Sequence, residues 1–308
     1  MKCFHPYVTR AKGEPVKSSS GAVIGYRSRY VEVPCGKCPA CLQARRQSWA
    51  FRIQVESEQY PGSSFFVSLT YNDDCLPYGS DHPSLCKSDL SEFFHRLRSY
   101  LYNRDSDPQE GRKYFRYFAC GEYGDSFGRP HYHFVFWDLF YKYGIDKWLS
   151  IFQDVWRFCD PTSVDIEDMS PRRAEYVAKY CLKQAGIDYK SHGVEPPFAL
   201  MSRRPGIGQN FITPLNVSRV RSNGGLQVFD STGCKFTLPR YYRTSGAFYN
   251  EDELRSISDR YHDFQDRCDN ASGRFTHVGQ IKYYRSRIMQ EYNILRKLRE
   301  DSFGKDFI

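Results

Sequence analysis

Residues 129–137 read Arg-Pro-His-Tyr-His-Phe-Val-Phe-Trp, and the rest of the chain is best understood outward from this run. Its aromatic and β-branched content predicts a strand over 131–137. Alternate residues of a strand share a face, with Cα atoms roughly 6.5 Å apart. His131 and His133 therefore present two imidazoles side by side, which suits one divalent ion. Two ligands do not complete a site. Glu122 lies nine residues back, on the connection leaving a preceding strand over 113–119, where a hairpin can return it to the histidines; Asp125 is the alternative. Two imidazoles and a carboxylate with open positions suit Mg²⁺ or Mn²⁺ acting on a phosphate. The bland alternative is a pair of histidines in a polar patch of sheet, and the H-x-H pattern alone does not separate the two.

Around this run the chain alternates. The segment to Pro34 reads as turn-rich, with Ser18 to Gly21 as a loop. A helix is expected over 39–59, with Leu42, Trp49 and Ile53 on one side and Arg45, Arg46 and Arg52 elsewhere. A strand over 65–70 follows, then a helix from Ser88, its N-cap, to Tyr102, with Leu90, Phe93, Phe94, Leu97 and Leu101 at helical spacing. Gly121, Gly124 and Gly128 make the connection to the histidine strand. A helix over 146–157, a short strand near Val164 and a helix over 171–184 complete a βαββαβα order. That order predicts an α+β domain with helices over a central antiparallel sheet. Beyond Gly186 the chain is Gly/Pro-rich and basic to Tyr242, and two charged helices are expected over 251–267 and 280–300. The implied division is an N-terminal Cys-rich segment with its helix (1–60), a catalytic core (61–190), and basic loops with C-terminal helices (191–308).

The chain has 308 residues, with 44 Lys and Arg against 36 Asp and Glu, a net charge of +8, and 17% aromatic residues. Basic charge mixed with stacking rings suits a nucleic-acid partner. The charge is concentrated: residues 190–250 hold eight basic residues against Glu195 and Asp230 alone. No stretch has the ~18 apolar residues a membrane-spanning helix needs, and the N-terminus lacks the apolar core of an export signal. Eleven cysteines, an odd number, then read as reduced thiols in a cytosol.

In the helix over 171–184, Ser170 is placed as N-cap and Pro171 at the first position. At ~100° per residue, Ala174, Val177, Ala178, Cys181 and Leu182 form an apolar stripe. Tyr176 and Tyr180 fall one turn apart on the other side, flanked by Arg172, Lys179 and Lys183. The bland reading is a pair of half-exposed rings packed on a neighbour. The sharper one joins them to the histidines: a phenol attacking a phosphodiester conserves the bond energy as phosphotyrosine, so a cut strand can be resealed without ATP. Nearby Lys, Arg or the metal would have to generate the phenolate, since free Tyr has a pKa near ~10.

Taken in order, FVSLTYND, GEYGDSFGRPHYHFVFW and EYVAKYCLK resemble the three motifs of the His-hydrophobe-His (HUH) endonuclease superfamily. More narrowly, with VPCGKCPAC and MSRRPGIG (Met201 to Gly208), the chain looks like the rolling-circle replication initiators of the microviruses, of gokushovirus type. The resemblance covers residues 3–208. It implies an antiparallel, ferredoxin-like palm with the histidine motif on a central strand and the tyrosine helix beside it. It also implies His131 and His133 as metal ligands with Glu122 the third, Tyr176 and Tyr180 as nucleophiles, and Lys179 neutralising a phosphate. The expected activity is nicking and rejoining of single-stranded phage DNA at an origin, in the bacterial cytoplasm. A plasmid initiator, a single-strand transposase, a metal hydrolase and a non-catalytic binding module are the rivals.

Two further motifs stand out. Cys35-x-x-Cys38-x-x-Cys41 has the spacing of a metal knuckle, with Cys3 and His5 as candidates to complete a structural Zn²⁺ site; free thiols and an iron–sulfur cluster are the alternatives. The knuckle would fix the N-terminus and a DNA-contacting helix bearing Arg45 and Arg46. Arg203 and Arg204, followed by Pro-Gly-Ile-Gly, suit DNA-backbone contact through guanidinium forks and exposed Gly amides. No Gly-x-x-x-x-Gly-Lys-Ser/Thr run occurs, so ATP binding is not expected of this chain, and a host helicase would open the duplex for a host polymerase.

Overall fold

The computed structural model describes residues 3 and 5–250, apart from 125–127, 159–162, 181–188, 190, 224–225, 231–232 and 234, together with 252–254, 256–257, 260 and 289. Two units are distinguished, residues 1–45 with 251–308 and residues 46–250.

In the first unit, β1 (Tyr7–Lys17) and β2 (Val23–Val33) form an antiparallel ribbon, starting at the pair Tyr7↔Val33. This corrects the turn-rich reading of the N-terminus. Gly13 and Pro15 look like turn residues, yet they fall where the register shifts between Lys12 and Pro15, a bulge that tolerates proline. The turn that joins the two strands is at residues 18–21, as expected. The C-terminal helices expected over 251–267 and 280–300 lie almost wholly outside the described residues.

The second unit is built on a five-stranded sheet. Its strands are β3 (Ser64–Thr70), β4 (Phe115–Tyr123), β5 (Pro130–Asp138), β6 (Val164–Asp168) and β7 (Phe198–Met201), in the order β6-β3-β5-β4-β7 with every pair antiparallel. The α+β class and the central antiparallel sheet are as expected, and the histidine strand β5 is the middle one. β7, which the basic loop reading missed, adds an edge beyond residue 190.

Helices cover both faces. On one face, Phe65, Val67, Leu69, Phe134 and Phe136 pack with Phe93, Phe94 and Leu97 of α2 (Lys87–Tyr102) and Trp148, Ile151 and Phe152 of α3 (Ile145–Val155). On the other, Phe66, Phe118, Val135 and Trp137 pack with Ala50 and Ile53 of α1 (Pro39–Ser57) and Ala174, Val177 and Ala178 of α4 (Pro171–Tyr180). Double coverage explains why β4 and β5 read as nearly unbroken apolar runs instead of alternating ones.

Two expected details change. Ser88 is not the N-cap of α2; Cys86 holds that position without a side-chain cap, and the Lys87 amide donates to the Glu195 carboxylate at 2.8 Å. An anion from a distant segment thus satisfies a helix N-terminus that Ser88 cannot reach. Arg52 is not a surface cation: it is buried, lies 4.2 Å and 4.0 Å from the Trp49 and Tyr241 ring centroids, and donates to the Ile207 carbonyl at 2.9 Å.

Beyond the sheet, Gln227–Phe229 and Lys235–Thr237 form a short ribbon (β8, β9), between helices α5 (Pro214–Ser222) and α6 (Arg240–Arg243). No helix among the described residues is long and apolar enough to cross a membrane.

Candidate metal and tyrosine site

The β4–β5 pairing sets Glu122 directly opposite His131, and Cys120 opposite His133. Glu122 therefore belongs to a strand and not, as expected, to the connection after it; β4 runs on through Gly121 to Tyr123. Gly121 permits this because a Cβ there would sit 2.9 Å from Leu85 Cδ2 and 3.1 Å from the Phe198 ring.

Alternation puts Glu122, His131 and His133 on one face. His131 Nε2 lies 3.2 Å and His133 Nε2 3.0 Å from the same Glu122 Oε1. Cis ligands at ~2.1 Å around an octahedral ion stand ~3.0 Å apart, so the three atoms are spaced as ligands of one cation. On β3, Ser68 Oγ is 2.9 Å from His133 Nδ1, which keeps Nε2 turned toward Glu122. Gly124 leaves room for the other ring, since a Cβ there would be 3.1 Å from His131 Cε1.

Glu122 is 1% exposed. Burial pushes its carboxyl pKa up, but hydrogen bonds from both imidazoles pull it down further, and it ends below the usual carboxylate value. Its Oε2 has no hydrogen-bond partner among the described residues. A buried carboxylate oxygen left over beside two imidazole nitrogens fits a divalent cation. Asp125, the alternative third ligand, lies outside the described residues.

Tyr176 approaches from α4. Ser170 Oγ accepts the Arg173 amide at 3.3 Å, as its N-cap placement requires, and the Ala174–Val177–Ala178 stripe seats the helix on the sheet. The Tyr176 ring does not stand on an open basic face. It is half-buried, edge-on to His133 at 5.4 Å and to Phe66 at 5.7 Å between centroids. The neighbour it packs on, as the bland reading required, is one of the two histidines. Lys179 is half-buried on the same helix. Tyr180 closes α4, but its side chain lies outside the described residues, as does Lys183.

Arg46, expected at DNA, ion-pairs with Glu175 of α4 at 3.4 Å, and Arg45 is exposed. Arg203 and Arg204 are exposed and line a cavity of about 740 Å³ with Arg98, Arg112, Lys113 and Arg116. The glycines after them are not free to bind anions, which corrects that part of the expectation. The Gly208 amide donates to Glu56 Oε2 at 2.6 Å, Gly206 lies under the Tyr241 ring, and Arg116, itself paired with Glu56 Oε1, donates to the Pro205 carbonyl at 3.0 Å. Arg52, Glu56 and Arg116 were not singled out from the sequence as a set; nothing in their spacing announces it, since they come from one helix and one strand 60 residues apart.

In the first unit, the thiols of Cys3, Cys35, Cys38 and Cys41 lie within 4.8 Å of one another, and exposed His5 stands outside the group.

Residues 64–185 match the family model described as replication-associated protein, of the ORF2 type. The chain is 30% identical to "Replication-associated protein ORF2" of Spiroplasma virus 4 over 79% of each chain. The chain belongs to the replication-associated proteins of the microviruses. It is also 28% identical to "Replication-associated protein VP4" of Bdellovibrio phage phiMH2K, over 79% of this chain and 76% of that one. Identity to "Replication-associated protein ORF4" of Chlamydia phage 1 is 30%, over 52% of this chain and 40% of that one. No solved structure matches the chain. The family match spans β3 to α4, the segment that holds Glu122, His131, His133, Tyr176 and Tyr180.

Proposed function

We propose that this protein initiates replication of a single-stranded phage genome, nicking one strand at the origin and rejoining it through tyrosine. The observation that carries this reading is the convergence of Glu122, His131 and His133 on one point of the sheet face, with the Tyr176 ring edge-on to His133. The names of the microvirus relatives support the replication setting.

In this reading a tyrosine Oη of Tyr176 or Tyr180 attacks the scissile phosphorus and gives up its proton. The bond from phosphorus to the 3′ oxygen breaks as the tyrosine ester forms, and the departing oxygen takes a proton to become a 3′-OH for a host polymerase. The 5′ phosphate stays on the phenol. After one round the second tyrosine cuts the regenerated origin, and the free 3′-OH attacks the first ester, restoring the phenol and closing a circle. Each step exchanges one phosphate ester for another, so no ATP is consumed.

Mg²⁺ or Mn²⁺ held by Glu122, His131 and His133 would supply charge neutralisation at the phosphate. Ser68 orients His133, and Lys179 on the tyrosine helix is placed to offset phosphate charge. Arg203 and Arg204, beside the basic cavity, are assigned to the DNA backbone. A host helicase would open the duplex, and the reaction would take place in the bacterial cytoplasm.

The test is a labelled single-stranded origin oligonucleotide incubated with Mn²⁺ and resolved on a denaturing gel. A covalent protein–DNA band is expected from the native chain, absent from Tyr176→Phe/Tyr180→Phe and from His131→Ala/His133→Ala; the single Tyr variants rank the nucleophiles. Cleavage surviving loss of both tyrosines would replace this reading with a hydrolase, and metal-independent binding without cleavage would replace it with a binding module.

A further inference from the structure

The β1–β2 ribbon poses a stability problem of its own. A lone two-stranded hairpin is marginal in water, and this one leaves Val8 and Ile24 about two-thirds exposed, at 66% and 68%. Its open end is the pair Tyr7↔Val33. Cys3 lies just before that end and Cys35 just after it, so both entry points to the ribbon carry a thiol.

The four thiols are arranged for one ion. Cys3 Sγ to Cys38 Sγ is 3.7 Å and Cys35 Sγ to Cys41 Sγ is 3.9 Å. Bonds of ~2.3 Å to four sulfurs at tetrahedral angles put the sulfurs ~3.8 Å apart, so these are two opposite edges of such a tetrahedron. A four-iron cluster would carry each thiolate on a different iron and spread the sulfurs well beyond contact. Gly36, at φ +73°, lets the chain curl round Cys35, whose Sγ accepts the amides of Lys37 at 3.4 Å and Cys38 at 3.2 Å. The Cys35 amide in turn donates to Cys3 Sγ at 3.2 Å. Amides aimed at sulfur stabilise thiolates and orient them as ligands. Cys3 and Cys38 are buried around Ala40, whereas His5 is exposed.

We propose that Cys3, Cys35, Cys38 and Cys41 hold one zinc ion in a closed four-thiolate site that clamps the open end of the β1–β2 ribbon to the start of α1. With four protein ligands no position is left for substrate, so the role is structural. The ion closes a loop of more than thirty residues, for which burial does little, and so substitutes for a core.

The test uses the full chain. Elemental analysis after dialysis against a competing chelator is expected to find about one zinc per chain, retained in His5→Ala and in Cys75→Ser, and lost in Cys3→Ser. Cobalt exchanged into the native chain should give the visible spectrum of four-thiolate coordination, and stripping the metal should expose residues 7–33 to protease. The cobalt spectrum needs no variant, so misfolding of Cys3→Ser would not decide the matter. Iron in place of zinc, a cobalt spectrum with three thiolates and one imidazole, or a ribbon equally protected without metal would each overturn the proposal.

Discussion

Replacing Ser68 by alanine removes one hydroxyl, 2.9 Å from His133 Nδ1, and no atom of the metal set itself. The ring would then be free to rotate or to shift its proton, and in part of the population Nε2 would no longer be an acceptor facing Glu122 Oε1 at 3.0 Å. Loss of such an outer hydrogen bond on a ligating histidine costs roughly 10–100-fold in metal affinity, or about 1.4–2.7 kcal/mol. Ser68 is half-buried and its neighbours Val67 and Leu69 carry the packing on β3, so the fold should be unaffected. The assay is nicking rate against Mn²⁺ concentration, with Mn²⁺ binding measured separately by calorimetry. The half-saturating Mn²⁺ concentration should rise by that factor while the rate at saturation stays near that of the native chain. Ser68→Thr, which keeps the hydroxyl and suits a strand, should recover the native value. An unchanged Mn²⁺ dependence, or a rate depressed equally at all concentrations, would refute the idea that Ser68 acts by orienting His133.

Glu56→Ala should destabilise the second unit by about 3–5 kcal/mol, because it strands the buried Arg116 guanidinium and leaves the Gly208 amide without its acceptor; urea unfolding measures this, and Glu56→Met with Arg116→Met should cost less than either single change. Gly208→Ala forces φ +74° on a side chain whose Cβ would sit 2.8 Å from the Arg52 carbonyl oxygen, so a loss of about 1–3 kcal/mol is expected in the same assay. Burial raises the Asp105 carboxyl pKa, but the Asp107 amide, the Tyr114 hydroxyl and the Arg112 guanidinium outweigh it, and the net shift is downward. The stability it contributes is therefore complete above the unfolded carboxylate pKa near ~4 and lost as pH falls through the lower folded value; unfolding across a pH series should show Asp105→Asn with a flatter acid limb. Gly124→Ala should weaken Mn²⁺ binding by crowding His131 Cε1, read in the same titration as Ser68→Ala.

Periodicity carried the sheet and its helices because burial on β3, β4, β5 and α2 is dictated by residues such as Leu90, Phe93 and Leu97 that recur at the right spacing. It failed where partners are remote. The capping of α2 by Glu195 depends on a residue 108 positions away, and the Arg116–Glu56–Gly208 knot joins three segments with no local signature. The histidine pair was legible from strand alternation. Glu122 was legible as a residue, but Gly121 disguised its strand as a turn. The tyrosines show the limit of helical-wheel reasoning: Tyr176 lies ~100° from Val177 and the wheel sets it outside the stripe, yet a long ring at the flank reaches inward to His133. The ribbon at the N-terminus was hidden by Gly13 and Pro15, whose turn-like character a bulge absorbs.

The direct pairing of Glu122 with His131 ties chemistry to register. Because side chains alternate, sliding β4 by one residue against β5 would set Gly121 or Tyr123 opposite His131 and send the carboxylate to the far face. A chain folded out of step therefore has no cation-binding triad at all, only two histidines beside a glycine or a phenol. Competence to cut DNA would thus act as proofreading of the fold: only molecules whose two central strands are aligned could carry the ion, and a nascent or misassembled copy would be harmless to the genome it is meant to copy.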